Sequence, residues 1–187
     1  MKNLKSIAIA LFLTAGLTVS AQTKIDAAKS VIKWTGHKVT GEHQGTVKFQ
    51  DGTLTLKGGK LTGGAFTVNM TSIAVTDLTA DQGKDKLEGH LKADDFFGTD
   101  KYPTAKVAFK SVKEKSAGVY TVTADVTIKG KTAPATFDLT VGKNSATTTF
   151  KIDRTKYDIK YKSKNFFEGL GDNVIYDEFD VTVNLVF

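Results

Sequence analysis

Side chains able to do chemistry are scarce in this chain. It holds three histidines (His37, His43 and His90), one arginine (Arg154) and no cysteine. Without cysteine there is no thiol nucleophile, no disulfide and no thioether point for lipid attachment. No Gly-x-Ser-x-Gly elbow and no phosphate-cradling Gly-x-x-x-x-Gly-Lys-Ser/Thr loop occurs either. His37 and His43 lack the i, i+4 spacing of a helical metal pair. Two readings stay open for His43 and His90: a metal site completed by Asp94 or Asp95, or polar residues at the rim of a fold. Adjacent Asp94 and Asp95 read as paired carboxylates or as a helix cap, and the cap is preferred. Asp153 and Arg154 read as an ion pair that pins a loop, in preference to a head-group clamp. None of this assembles an active site, so the chain reads as a non-enzyme with neither metal nor cofactor.

Aromatic side chains carry a stronger signal. Trp34, Phe49, Phe66, Phe109, Tyr120, Phe137 and Phe150 fall in strand-like segments. Two pairs, Phe96-Phe97 and Phe166-Phe167, fall in the two long connections. Adjacent rings in a connection are not left in water, and both pairs are placed to close a barrel mouth over an apolar ligand. The same rings read as plain core give a filled barrel with no ligand.

The elements that must position these residues are strands. Thr, Val and Phe recur with a period of two, punctuated by Gly, Asn and Asp. A first strand is expected over 30–39, then 46–50, with the Asp51-Gly52 pair turning the chain into a strand over 53–57. Gly58-Gly59 turns it again into 60–70. Between 71 and 102 the period breaks. Thr79 and Gln82 have capping-box spacing, and Leu87 and Leu91 share a helix face with His90 and Asp94 next to them. Strands resume at Thr104, with alternating runs through Tyr120 to Ile128, Ala135 to Val141, Ala146 to Ile152 and Phe179 to Phe187. Pro134 lacks a ladder donor and belongs at a strand start or an edge. The expectation is an all-β fold, an antiparallel barrel of about eight strands with one short helical excursion.

The ends and the composition fix the setting. Lys2 and Lys5, the apolar run from Ile7 to Val19 and the small residues Val19-Ser20-Ala21 have the three regions of a secretory signal peptide. Residues 1–21 are expected to be removed, leaving a single domain over 22–187 that is periplasmic or secreted. The run is short of the roughly 20 residues a spanning helix needs. Net charge is +6, two of those charges lying on Lys2 and Lys5. With one arginine and lysines interspersed with acids, no nucleic-acid reader is indicated.

Several segments resemble the YceI-like family. They are His90-Leu91-Lys92-Ala93-Asp94-Asp95-Phe96-Phe97 followed by Tyr102-Pro103-Thr104-Ala105, then Thr127-Ile128-Lys129-Gly130 with Lys131-Thr132-Ala133-Pro134, and Ile152-Asp153-Arg154-Thr155-Lys156-Tyr157. Trp34-Thr35-Gly36-His37-Lys38 and Gly41-Glu42-His43-Gln44-Gly45 fit less tightly. The resemblance implies a lipocalin-like barrel, exported in bacteria, whose apolar interior binds polyisoprenoid or similar amphiphilic chains. It also implies a His near the end of the first strand, a position shared here by His37 and Lys38. The best carry-overs by position are His90, Phe96, Phe97 and Arg154. Together with Trp34, Lys38, His43, Phe49, Phe66, Leu87, Leu91, Phe109, Phe166 and Phe167 they make up the expected ligand-binding set. The expected function is to sequester or carry an isoprenoid, quinone or other amphiphilic lipid; the alternative is a secreted, stress-related interaction module with a filled barrel. Lys151, Lys156, Lys160, Lys162 and Lys164 suit transient contact with an anionic membrane surface, or simply a solvated strand face. The oligomeric state is left open, a dimer included. A bulky residue at Ala65 or Ala124 is expected to block the interior, if those positions point inward.

Overall fold

The computed structural model describes residues 20–187. Residues 1–19, most of the expected signal peptide, lie outside the described residues. Nine strands follow: β1 (Ser20–Lys24), β2 (Val31–Lys38), β3 (Gly41–Lys57), β4 (Lys60–Val75), β5 (Thr104–Ser116), β6 (Val119–Ile128), β7 (Lys131–Val141), β8 (Ser145–Asp153) and β9 (Ile175–Val186). One helix, α1 (Lys84–Lys92), lies between β4 and β5. Strands β2 to β9 close into an antiparallel barrel, since β3 pairs with β2 on one side and β4 on the other. The short β1 adds to the far half of β3, beside Thr53 to Lys57. The expected all-β barrel with one helical excursion is what the chain forms.

Strict alternation builds the wall. In β6, Tyr120, Val122, Ala124, Val126 and Ile128 are buried while the residues between them are not. Ala124 therefore faces in; Ala65 is exposed on β4 and faces out, so it gives no access to the interior.

The expected Asp51-Gly52 hairpin is absent, because β3 runs unbroken through it with a bulge between Phe49 and Asp51. Gly52 is a glycine for another reason. A Cβ there would collide with the Phe66 ring from the facing strand, so the missing side chain makes room for that ring. The real hairpin sits at Gly58-Gly59, both with positive φ.

Helix α1 starts four residues later than its capping box suggests. Gln82 Oε1 does accept from the Thr79 backbone N–H at 3.0 Å. That bond closes a preceding turn, and Gly83 at φ 92° then resets the chain before Lys84. Among the described residues no helix is long and apolar enough to cross a membrane.

A candidate ligand cavity in the barrel

The inward faces of the strands do not fill the barrel. They enclose a cavity of about 180 Å³. Phenylalanines from five strands form a continuous belt around part of it. Centroid separations are 5.9 Å for Phe49–Phe66, 5.6 Å for Phe66–Phe109, 6.1 Å for Phe109–Phe137 and 4.5 Å for the stacked Phe137–Phe150 pair. Such spacings suit the ring quadrupoles, so the belt is cohesive as well as apolar.

One end of the cavity is closed by residues from the α1 connection. Phe96 and Leu91 are buried, Phe97 meets Phe96 edge-on at 5.3 Å, and Phe97 reaches Phe179 of β9 at 6.4 Å. A four-residue swelling of β4 contributes at the same end. Ser72 Oγ takes the Lys48 N–H at 2.8 Å and donates to the Asn69 carbonyl at 2.6 Å, and Met70 and Ile73 both line the cavity.

Polar groups at this wall are few. Thr148 Oγ donates to the Asp138 carbonyl at 2.7 Å. The indole Nε1 of Trp34 is buried without a partner, a cost of about 1–3 kcal/mol until an acceptor meets it. Arg154 is only 2% exposed. Its guanidinium donates to the carbonyls of Tyr176 (3.1 Å), Ile159 (2.8 Å) and Ile175 (2.9 Å). The Tyr176 carbonyl belongs to a bulge, where three residues of β9 oppose His37 alone on β2, and Ile175 flanks it. Arg154 thus satisfies main-chain groups that the bulge takes out of the ladder. Burial pushes its pKa down, opposed by the charges of Asp177 and Asp153. The expected Asp153–Arg154 pair is corrected here. Asp153 instead accepts from Thr155 N–H at 2.9 Å and caps the following 3₁₀ turn, and the carboxylate near the guanidinium is Asp177 at 3.5 Å.

Of the expected ligand-binding set, the fold gathers Trp34, Phe49, Phe66, Leu91, Phe96, Phe97, Phe109 and Arg154 around the cavity. The other six are elsewhere. Lys38 ends β2 at the β2–β3 turn. His43 pairs with Asp77 at 2.9 Å. That carboxyl is raised by burial but lowered more by His43 and the Gln44 N–H, and the net direction is down. Leu87 packs against the core from α1 without reaching the cavity. His90 is wedged edge-on between Phe96 (5.6 Å) and Tyr161 (4.5 Å), one layer behind the wall, and bonds Asp95 at 3.1 Å. His90 thus meets Asp95 while His43 meets Asp77, so the two histidines share no common site, and among the described residues no three His, Asp or Glu side chains gather around a common point.

Phe166 and Phe167 are each 49% exposed and close no mouth. Both of their N–H groups bond back to the carbonyl of Ser163, which is fully buried. This tight turn throws both rings outward, where Lys160 lies 4.9 Å over Phe166. Alternation placed the cavity residues the sequence reading left out. Phe137, Phe150 and Phe179 stand in phase with buried neighbours, whereas Met70 and Ile73 needed the β4 swelling, which has no signature in residue type.

Fold and cavity define a class: a closed, antiparallel, lipocalin-like barrel with an apolar interior. Within that class, residues 24–187 match the YceI-like domain model, and the chain belongs to that family. Among curated relatives, a UPF0312 protein of Shewanella denitrificans is 34% identical over 94 residues, 50% of this chain and 47% of that protein. One of Pseudomonas putida strain W619 is 30% identical over 131 residues, 68% of this chain and 66% of that protein. The matched part thus spans about half to two thirds of these relatives. Solved structures share the fold as well. BcnA of Burkholderia cenocepacia has a TM-score of 0.70 at 21% identity, covering 87% of this chain and 99% of that one. A polyisoprenoid binding domain from Saccharophagus degradans, described as implicated in plant cell wall breakdown, scores 0.58 at 15% identity, covering 90% and 97%. A YceI protein of Campylobacter jejuni scores 0.53 at 13%, covering 98% and 88%.

Proposed function

We propose that this chain is an exported, non-catalytic binding protein that sequesters or carries an isoprenoid, quinone or other amphiphilic lipid, holding its apolar part inside the barrel. The observation that carries this reading is the cavity of about 180 Å³ with walls of aliphatic and aromatic carbon. An apolar cavity of about 150 Å³ stays dry and takes up benzene, so this one offers room for about one ring or one to two isoprene units. Each methylene transferred into it contributes about 0.8 kcal/mol. A longer chain must displace part of the ring belt or leave its remainder outside. The fold shared with a domain described as polyisoprenoid binding supports the same ligand class. A void of this size speaks against the filled-barrel interaction module.

Removal of residues 1–21 would leave Gln22, Thr23 and Lys24 of β1 still paired with Thr55, Leu54 and Thr53. Export therefore asks little of the fold.

The test uses the protein's single tryptophan, which lines the cavity. Protein purified from its native host is extracted with organic solvent for mass spectrometry, and the stripped protein is titrated with a prenyl alcohol while Trp34 emission is followed. A stoichiometric lipid in the extract, or a saturable change in Trp34 emission, is expected. A clean extract together with a flat titration would overturn the reading.

A further inference from the structure

We infer that the ligand's chain passes through the wall of the barrel, between β7 and β8, and not through its capped end; this rests on the carrier reading above. The β7–β8 ladder is unlike the others. Only Thr140–Thr147 and Val141–Ala146 are paired, next to the hairpin, whereas β6–β7 has ten pairs and β8–β9 nine. Beyond Thr147, β8 diverges from β7, and the main-chain groups that face the gap have no ladder partner among the described residues.

Pro134 marks the same gap in the sequence. Successive residues of an antiparallel strand aim their main-chain groups at opposite neighbours. The Asp138 carbonyl reaches towards β8, where it meets Thr148. Pro134 has the same parity, so its missing N–H falls on the β8 side, where the gap asks for no donor.

Two contacts hold the seam. One is the Thr148 hydroxyl on the Asp138 carbonyl at 2.7 Å. The other is the Phe137–Phe150 stack at 4.5 Å, with Phe150 only half-buried. Phe137, Leu139, Thr148, Phe150 and Ile152, which flank the seam on β7 and β8, all line the cavity as well. The turn Arg154–Tyr157 packs against β7, and Tyr157 and Ile159 are buried around it. By contrast, the α1 end is held by buried Leu91 and Phe96, by the edge contacts Phe96–Phe97 and Phe97–Phe179, and by the Arg154 guanidinium 5.9 Å over the Phe96 ring. A cavity that holds only one or two isoprene units also requires the ring belt to part for a longer chain, and the belt's stacked pair sits on the seam. The polar end of the amphiphile then rests outside, against the unpaired main-chain groups of β7 and β8.

The experiment is to staple the seam. Thr136 of β7 and Lys151 of β8 flank the unpaired stretch, both exposed and pointing away from the cavity. The chain has no native cysteine, so Thr136→Cys/Lys151→Cys can be bridged by a bis-thiosulfonate long enough to span the gap, without competing thiols. Lys113→Cys/Thr121→Cys, across the extensive β5–β6 ladder, is the control. Uptake and release of cis-parinaric acid are followed by stopped-flow Trp34 fluorescence. The bridged seam should slow both rates tenfold or more with little change in affinity, reduction should restore them, and the control should exchange as wild type. Thr148→Val, which removes the hydroxyl bond at constant shape, should exchange several-fold faster. Wild-type rates in the bridged protein would overturn the inference. Should the two cysteines resist bridging, Thr148→Val decides alone, and unchanged exchange in it has the same meaning. A wild-type protein that takes up no parinaric acid would instead overturn the carrier reading, and the portal with it.

Discussion

At the scale of single residues, Arg154 is the side chain that ties the end of β8 to β9 and to the connection that follows it. It serves three carbonyls from two segments, a geometry that a planar fork of five donors provides and a lysine ammonium does not. Arg154→Met should cost about 3 kcal/mol in urea unfolding, because it orphans buried acceptors and leaves Asp177 without its cation. Arg154→Lys should recover less than half of that. Its neighbour Tyr157 makes a second prediction. Burial holds the phenol at about 12 against an ordinary value of 10.0. The folded state thus favours the neutral form, and the associated stability is complete below pH 10 and lost as pH rises towards 12. Stability should fall by about 1.4 kcal/mol per pH unit within that window. Tyr157→Phe should flatten this alkaline limb, as measured by urea midpoints from pH 9 to pH 12. Asp77 works in the opposite sense. Its lowered pKa stabilises the fold above its ordinary value of 3.8, and the contribution disappears as pH falls through the folded value. The sequence offered Arg154 as a candidate by its position in the family resemblance and beside Asp153, but two of its partners lie in β9 at and beside the bulge, and nothing in residue type announces which carbonyls a bulge will free.

Among the elements, what could be read in advance was the two-residue period. Tyr120 to Ile128 bury in the order their types dictate, and so does most of the ring belt. Glycine was harder, since the same residue serves a turn and a close approach. Gly58-Gly59 is a turn because both residues take positive φ, while Asp51-Gly52, equally suggestive in sequence, lies in mid-strand beneath Phe66. Gly52→Ala should therefore destabilise by about 2–3 kcal/mol, an overpacking cost, because the Cβ meets a buried ring. Gly58→Ala meets open space and should cost about 1 kcal/mol, from its left-handed φ alone. Thermal unfolding of both variants checks the order, and a larger loss at Gly58 would contradict it. Pro134 was legible as an edge signal within a barrel that has no free edge by topology. The short β7–β8 ladder resolves that contradiction, because a closed sheet can still contain an unpaired stretch. The Thr79–Gln82 pair predicted a helix start and gave a turn, since Gly83 follows it with a φ that no helix continues.

For the molecule as a whole, two apolar surfaces have different meanings. The interior surface is shielded and continuous, and suits one apolar chain. On the exterior, where Val39, Tyr102 and Tyr176 are exposed singly, Phe166 and Phe167 are adjacent exposed rings, beside Lys160, Lys162 and Lys164 in the connection that follows Arg154. Paired rings flanked by lysines suit the headgroup layer of an anionic bilayer, where aromatic area and charge attraction add. Lys164 of the same connection shares a surface pocket with Lys151 of β8, so membrane contact by the Phe166–Phe167 tip would bring the outer end of β8 towards the lipid to be exchanged. Purified protein should therefore pellet with phosphatidylglycerol vesicles more than with phosphatidylcholine vesicles. Raising salt from about 50 to 500 mM should weaken the attraction, as the Debye length shortens. Phe166→Ser/Phe167→Ser should abolish pelleting while leaving the thermal midpoint within about 2 °C, because neither ring is part of the core. If that variant pellets like wild type, the lysines act without the rings. If the wild type ignores both vesicles, the exposed tip serves some purpose other than membrane contact, and the cavity must fill from solution or from a partner protein.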